Sequence, residues 1–204
     1  MIEALHRIGV TGASGCGVTT LGAALAERLG AVHIDADDHF WVATDPPYRV
    51  KREVPERLVR IRAEQARTGR WILSGTLDGW AEPVSGDAQL IIFLRVPTEI
   101  RLERLRRREQ ARFGDSLLPG GAMYENHREF IEWAAHYEDG TLPGRNLPRH
   151  EKWLAGLSTP VLPLDGTRAT ADLVSAIVFF QLPDDHRMSG QDPQHREDRR
   201  GPAQ

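Results

Sequence analysis

A glycine-rich stretch near the N-terminus has the residue types and spacing that hold a phosphate group. Gly12 and Gly17 match the glycines of the G-x-x-x-x-G-K-[ST] pattern, and Thr19 stands at its hydroxyl position. In such a loop, successive N–H groups point inward and the following helix adds the positive end of its dipole. We name residues 12–20 the phosphate loop, whose candidate binding residues are Gly12, Ala13, Ser14, Gly15, Cys16, Gly17, Val18, Thr19 and Thr20.

The loop departs from the pattern at one position, because Val18 stands where lysine is expected. A valine cannot supply the ammonium group that reaches the outer phosphates. Three interpretations are open. The loop binds a nucleotide and an arginine elsewhere supplies the charge, or it binds a nucleotide or another anion without fast chemistry, or it is a glycine-rich turn between a strand and a helix. We favour the first.

Short apolar runs alternate with helical patterns along the chain. Strand candidates lie at residues 8–11, 31–34, 71–73, 90–96 and 160–164, and helix candidates at residues 21–29, 56–68, 97–113, 122–138, 148–157 and 169–180. Alternating strands and helices predict βαβ units and a mostly parallel sheet of about five strands. Residues 1–182 are expected to form one domain. The polar, turn-rich residues 183–204 are predicted to be a disordered tail.

Composition narrows the partners and the compartment. The chain has 204 residues, 27% of them charged, with a formal net charge of -3, so a broad nucleic-acid surface is not expected. Cys16 is the only cysteine, which is compatible with a reducing compartment. Neither a secretory signal pattern nor an apolar run long enough to span a membrane is seen, which predicts a cytoplasmic protein.

With the phosphate loop, the acidic end of the second strand and the basic helix after the fourth, the chain resembles the P-loop kinases of small molecules: adenylate-, shikimate-, gluconate- and uridine-kinase-like proteins. The resemblance covers most of residues 7–181. It implies a three-layer α/β/α P-loop NTPase fold with a helical lid and insert at about residues 110–147. It also implies binding of ATP, Mg²⁺ and a small acceptor.

The second strand ends in acidic residues. Asp35 and Asp37 alternate in strand phase, so we expect both side chains on one side. In the kinases that this chain resembles, an acid at this point is the general base or a magnesium organiser, which makes Asp35 and Asp37 catalytic candidates. Thr19 and Asp35 are the metal candidates. The alternative is a polar strand end that only caps a turn.

Arginines of the long helix are the candidates to replace the lysine. Arg101, Arg104, Arg108 and Arg112 lie three or four residues apart and therefore share a face. Arg104 and Arg108 match the arginine spacing that leads into the lid of the resembled kinases, where such residues contact the phosphates or the base of the donor. Arg145, after the lid region, is a further nucleotide-binding candidate. The alternative is a surface helix with salt bridges.

An acceptor site is expected around the second strand and the double proline after it. Asp38, Arg49 and Arg52 are its candidate residues, since an arginine can hold an anionic acceptor with two parallel hydrogen bonds. A solvated charge cluster is the alternative. Ser74 stands where many of the resembled kinases carry an acid that orders magnesium, and Asp78 follows it in an uncertain register.

The favoured hypothesis is transfer of the ATP γ-phosphoryl group to a small acceptor such as a nucleoside, nucleotide or metabolite hydroxyl. The rival is a nucleotide-binding sensor or scaffold with little or no turnover, which the departures at Val18 and Ser74 support.

Overall fold

A computed structural model describes residues 5–180. Five parallel strands form one sheet in the order β2-β3-β1-β4-β5. The strands are β1 (Arg7–Gly12), β2 (Val32–Asp35), β3 (Trp71–Ser74), β4 (Leu90–Arg95) and β5 (Val161–Asp165). The predicted parallel five-stranded α/β architecture is therefore confirmed, and each strand lies within a residue or two of its expected place.

Helices connect the strands and cover both faces of the sheet. They are α1 (Val18–Leu29), α2 (Ala36–Phe40), α3 (Val54–Thr68), α4 (Glu82–Ser85), α5 (Thr98–Phe113), α6 (Tyr124–Ala135), α7 (Leu147–Ala155) and α8 (Thr170–Val178). Single 3-10 turns at Gly79–Ala81 and Gly114–Leu117 precede α4 and follow α5. The sequence patterns did not predict α2 or α4, which are short.

Two apolar clusters hold the three layers together. The first joins α1 and α8 to the sheet through fully buried residues such as Leu25, Ile92 and Ile177. The second lies on the other face, where Ile61 of α3 packs with Leu73 and Ile91. The first five residues of β4 are buried, which explains why its sequence is continuously apolar.

The topology brings the ends of distant segments together. β1, β3 and β2 are neighbours, so the residues that follow Gly12, Ser74 and Asp35 emerge at one edge of the sheet. Ligands of open parallel sheets bind outside the carboxyl ends of the strands, at this kind of edge. The lid region of the prediction contains α6, which packs on α5.

Some predictions concern residues outside the described range. The predicted domain of residues 1–182 contains every described residue, and the predicted tail at residues 183–204 lies outside them. Within residues 5–180, none of the helices combines the length and the apolar character needed to cross a membrane.

Candidate active site

The phosphate loop connects the end of β1 to the first turn of α1. Gly15 and Gly17 have φ angles of 86° and 89°, in the left-handed region that side chains rarely adopt. At Gly15 a Cβ would also lie 2.7 Å from the carbonyl oxygen of Arg101. The first N–H groups of a helix have no intrahelical partner and favour an anion, so the loop has the shape and the donors of a phosphate site.

Side chains of the loop face in two directions. Ala13 and Cys16 are 3% and 2% exposed, so only their backbone faces a ligand at the loop. Thr19 and Thr20 are exposed at the start of α1, whereas Val18 packs into the core below. The position of the usual lysine is thus a core position, and the missing charge is not restored within the loop.

The hydroxyl of Thr19 and the carboxylate of Asp35 meet at the head of the loop. Thr19 Oγ1 donates to Asp35 Oδ2 at 2.8 Å. The other carboxylate oxygen, Oδ1, accepts the backbone N–H of Asp37 at 2.9 Å and so caps α2. The structure therefore brings together the two residues predicted to hold a metal.

Asp37 does not continue the strand, so the predicted strand alternation of Asp35 and Asp37 is wrong. β2 ends at Asp35, and Asp37 lies in the first turn of α2. The physical reason is the cap: a side-chain oxygen of Asp35 satisfies the N–H of Asp37, which favours a helix over a longer strand. The two acids still lie next to each other, because the N–H of Asp37 donates to the carboxylate of Asp35.

Asp37 stands among charges of both signs. Burial raises the pKa of its carboxyl, and the nearby Asp35 carboxylate adds to the rise, whereas Arg145 and Arg108 oppose it. The side chain keeps exposed surface, so protein atoms surround the carboxyl without covering it. An exposed carboxylate between an acid and two arginines can accept a proton from a ligand in the cleft.

Arg145 reaches the phosphate loop from the other end of the domain. It donates from Nη2 to Ser14 Oγ at 3.0 Å and from Nη1 to Thr76 Oγ1 at 3.3 Å. Its guanidinium carbon lies 5.8 Å from the ring centre of Trp133. This arginine, 131 residues from Ser14, is held by hydrogen bonds at the loop that lacks lysine.

Arg104 and Arg108 occupy different surroundings although they share a helix face. Arg104 donates to the carbonyl of Gly166 at 3.0 Å and lines a cavity of about 200 Å³ with Gly17 and Thr20. Arg108 pairs with the buried Glu109 at 2.9 Å and acts electrostatically on Asp37. Arg104 thus lies beside the loop near the turn after β5, and Arg108 on the side of the acids.

The expected acceptor residues differ in how strongly the protein engages them. Arg52 donates to the carbonyls of His39 and Trp41 and to Glu56, so its guanidinium is occupied by protein acceptors. Arg49 makes one such bond, from Nη2 to the carbonyl of Ala122 at 2.8 Å. Asp38 is exposed beside Asp37. The arrangement favours Arg49 over Arg52 as an anion contact.

The end of β3 carries no acid directed at the metal candidates. Ser74 is fully buried and its hydroxyl lies 2.8 Å from Nε2 of His33. Asp78 is 2% exposed and pairs with Arg149 at 2.5 Å. Within the described chain, no three His, Cys, Asp or Glu side chains are grouped so as to hold a metal ion. Thr19 and Asp35 remain the metal candidates.

Sequence reasoning missed the role of Arg101, which it placed on the basic helix face. Arg101 is completely buried and donates to the carbonyls of Val96, Ser14 and Ala134, each at 3.2 Å. It also pairs with Glu138 at 2.6 Å. This arginine supports the phosphate loop from below, and its helical spacing with Arg104 gave no sign that it is buried.

A larger cavity, about 700 Å³, lies beside Cys16 between β4, β5 and Tyr137. Its lining includes neither acid of the site and neither Thr19 nor Arg145. The candidate site is therefore defined here by the backbone donors of the loop, the Thr19–Asp35 pair and Arg145, and not by cavity volume.

Several known proteins are similar to this chain in sequence or in fold. Residues 8–118 match the AAA_18 family, an AAA domain. The uncharacterized protein YqaC of Bacillus subtilis (strain 168) is 39% identical over 174 residues, which cover 85% of this chain and 96% of that protein. Cytidylate kinase of Pyrococcus horikoshii is 30% identical over 116 residues, 50% of this chain and 57% of that protein.

Among solved structures, shikimate kinase from Acinetobacter baumannii in complex with shikimate is similar with a TM-score of 0.55 at 19% identity. The similarity covers 87% of this chain and 93% of that chain. The fold is therefore the P-loop fold of the small-molecule kinases. The chain belongs to the AAA_18 family of AAA domains.

Proposed function

We propose that this protein transfers the γ-phosphoryl group of ATP to an oxygen of a small acceptor such as a nucleoside, nucleotide or metabolite. One observation carries the proposal: Thr19 and Asp35 meet at 2.8 Å at the head of a glycine loop that follows β1 and begins α1. A hydroxyl and a carboxylate at that position are the arrangement that phosphoryl-transfer sites use to position a nucleotide.

The donor set fits Mg²⁺, a hard cation that prefers oxygen ligands and keeps several waters. The Thr19 hydroxyl and Oδ2 of Asp35 would hold it. When bound, the ion offsets negative charge on the phosphate oxygens. The remaining work falls to residues of this chain: Arg145, on Ser14, supplies a positive charge at the loop, and Arg104 lies beside Gly17 where the donor nucleotide enters.

The two acids divide the remaining tasks. Both oxygens of Asp35 are engaged, one by Thr19 and one by the N–H of Asp37, so Asp35 serves the metal side. Asp37 is exposed and serves as the base. The acceptor oxygen forms a bond to the γ-phosphorus as the bond from that phosphorus to the β–γ bridging oxygen breaks. ADP leaves, and Asp37 takes the acceptor's proton.

Acceptor binding is assigned to the surface around α2. Arg49 and Asp38 are the contacts that we propose, with Arg108 completing the positive side of the cleft near Asp37. The sequence predicts Arg52 as an acceptor contact, but we propose that it instead stabilises the segment 39–56 through its hydrogen bonds within the protein. A cytoplasmic location and the absence of a nucleic-acid partner stay predictions.

A second candidate function follows from Val18. Because valine stands at the lysine position, the loop has no positive side chain of its own, and a protein that binds a nucleotide without turnover is consistent with this feature. The two candidates differ in what Val18→Lys does. In a kinase, the added lysine changes the rate of transfer, whereas in a sensor it tightens nucleotide binding and produces no transfer.

The test is calorimetric titration of the full chain with ATP and ADP, with and without Mg²⁺. We expect binding that Mg²⁺ strengthens, that Gly17→Asp abolishes, and whose Mg²⁺ dependence Thr19→Ala removes. Binding then justifies a screen of acceptors, in which Asp37→Asn should stop transfer while the nucleotide still binds. The absence of binding at millimolar nucleotide would refute the proposed function and its alternative.

A further inference from the structure

A buried carboxylate outside the proposed chemistry lies next to the segment that carries Arg145. Asp78 follows β3 and is 2% exposed. Its Oδ2 accepts a hydrogen bond from Nε of Arg149 at 2.5 Å, and its Oδ1 lies 3.8 Å from Nε2 of the fully buried His150. A buried carboxylate is costly unless it is paired, so the fold depends on the bond that Arg149 donates to Asp78.

The two residues that face Asp78, Arg149 and His150, lie in the first turn of α7. Asn146 caps this helix by accepting the N–H of Arg149 at 2.9 Å. The N–H of Leu147 donates to the carbonyl of Tyr137 at 2.7 Å, and the Tyr137 hydroxyl lies 2.7 Å from Nδ1 of His150. The start of α7 is thus held from two sides, by Asp78 and by Tyr137.

The ring of His150 is neutral in this environment. Burial lowers its pKa to about 4, and the charge of Arg145 adds to that effect, whereas Asp78 opposes it. A neutral ring with its proton on Nε2 accepts the Tyr137 hydroxyl at Nδ1 and presents the Nε2–H toward Asp78. At 3.8 Å this second contact is too long for a direct hydrogen bond, so Arg149 makes the principal bond to Asp78.

Arg145 lies directly before this anchored turn. Its guanidinium donates to Ser14 and Thr76 and lies over the ring of Trp133. Because Arg145 precedes the capping residue Asn146 by one position, the placement of α7 fixes where its side chain begins. A shift of the first turn of α7 would move the guanidinium away from the phosphate loop.

We propose that Asp78 is a positioning residue for Arg145: by holding Arg149 at the start of α7, it fixes the guanidinium of Arg145 at the phosphate loop. Asp78 is buried and faces Arg149, so it contacts neither nucleotide nor metal. The expected effect of Asp78 on nucleotide binding rests on the proposed function. The expected effect of Asp78 on the position of Arg145 does not depend on that function.

The experiment compares Asp78→Asn, Arg145→Ala and the double variant, with Asp87→Asn as the control because Asp87 is an exposed acid nearby in sequence. The first readout is the calorimetric affinity for ATP with Mg²⁺. We expect Arg145→Ala to weaken it about 10-fold or more, as for the loss of a hydrogen bond to a charged group. Asp78→Asn should weaken it by a smaller factor, and the double variant no further than Arg145→Ala alone.

The second readout is the ¹⁹F NMR signal of Trp133 in protein labelled with 5-fluorotryptophan, assigned through Trp133→Phe. Arg145 lies over this ring, so its displacement changes the shift without any nucleotide. We expect Asp78→Asn to move the signal toward its position in Arg145→Ala, and Asp87→Asn to leave it. If Asp78→Asn does not fold, Arg149→Met breaks the same pair from its half-exposed partner.

The outcomes separate the two proposals. A wild-type protein that binds no ATP overturns the proposed function, while the ¹⁹F signal still decides the position of Arg145. Independent, multiplying effects of the two substitutions on affinity would show that Asp78 does not act through Arg145. An unchanged Trp133 signal in Asp78→Asn would refute the positioning role directly.

Discussion

Stability should fall as the solution becomes acidic, because His150 is buried in its neutral form. Its pKa drops from the ordinary 6.5 to about 4, chiefly through burial and then through Arg145, with Asp78 opposing and Arg149 adding a smaller decrease. Tyr137 is the other polar group in contact with the ring. Between these two pH values the unfolded chain binds a proton that the folded chain does not.

The magnitude follows from the two pKa values. A lowered pKa in the folded state gives a stability that is complete above pH 6.5 and is lost as the pH falls toward 4. Linkage predicts a loss of about 1 kcal/mol at about pH 5.5 and about 3 kcal/mol at about pH 4.5. Burial also lowers the pKa of His33, so His33 contributes a loss of the same sign.

Urea unfolding at a series of pH values measures this loss. His150→Gln removes the titrating group and keeps a neutral hydrogen-bonding side chain, so its free energy of unfolding should depend less steeply on pH than that of the wild type. The comparison uses the slopes, since the substitution also changes stability at neutral pH. His6→Gln, at an exposed histidine, is the matched control for replacing a histidine by glutamine. Equal slopes for His150→Gln and the wild type would refute the reasoning.

Two further predictions concern the support of the phosphate loop. Arg101→Met should lower the free energy of unfolding, measured by urea denaturation, by about 3–5 kcal/mol, because buried acceptors lose their donor. Arg106→Met, at an exposed site, is the control and should change this free energy by about 0.5 kcal/mol or less. A small effect at Arg101 would mean that water replaces the guanidinium. Cys16 is 2% exposed and burial raises the pKa of its thiol, so a thiol reagent should modify it about 100-fold more slowly in the folded than in the urea-unfolded protein. Rapid labelling would place this side chain at the surface.

The sheet could be predicted from the sequence because its strands are short apolar runs between glycines, prolines and acids. β4 is the clearest case: it is buried at five of six positions, and a strand buried on both faces leaves no alternation to misread. The phosphate loop could also be predicted from the sequence, because the spacing of its glycines indicates the backbone conformation. Gly17, the second glycine of the pattern, adopts the left-handed conformation, and so does Gly15 inside the loop.

The short helix α2 was missed although the sequence carried a signal for it. Asp35 is followed by Asp37 and Asp38, and an aspartate before an acidic first turn is typical of a capped helix. The predicted strand alternation was extended to Asp37, two residues beyond the end of β2 at Asp35. The correction changes the roles of the two acids, because the cap engages Oδ1 of Asp35 and leaves Asp37 exposed.

The buried charges could not be predicted from a single sequence. Arg101 differs from Arg104 and Arg108 only in its surroundings, which come from Ser14, Ala134 and Glu138 far along the chain. The buried state of Asp78 likewise depends on a distant partner, Arg149, which is 71 residues away. Local patterns report which face of a helix is polar, and they do not report which polar face another segment will cover.

The substitution of valine for lysine changes how a phosphate site of this kind is assembled. A lysine at position 18 would belong to the loop itself and would be present whenever β1 and α1 are folded. Arg145 instead comes from a segment whose position depends on Trp133, Asn146 and the first turn of α7. The positive charge is therefore at the loop only when the chain after α6 is packed against it. Nucleotide affinity and the stability of that packing should change together, and a loop with its own lysine would not show this coupling.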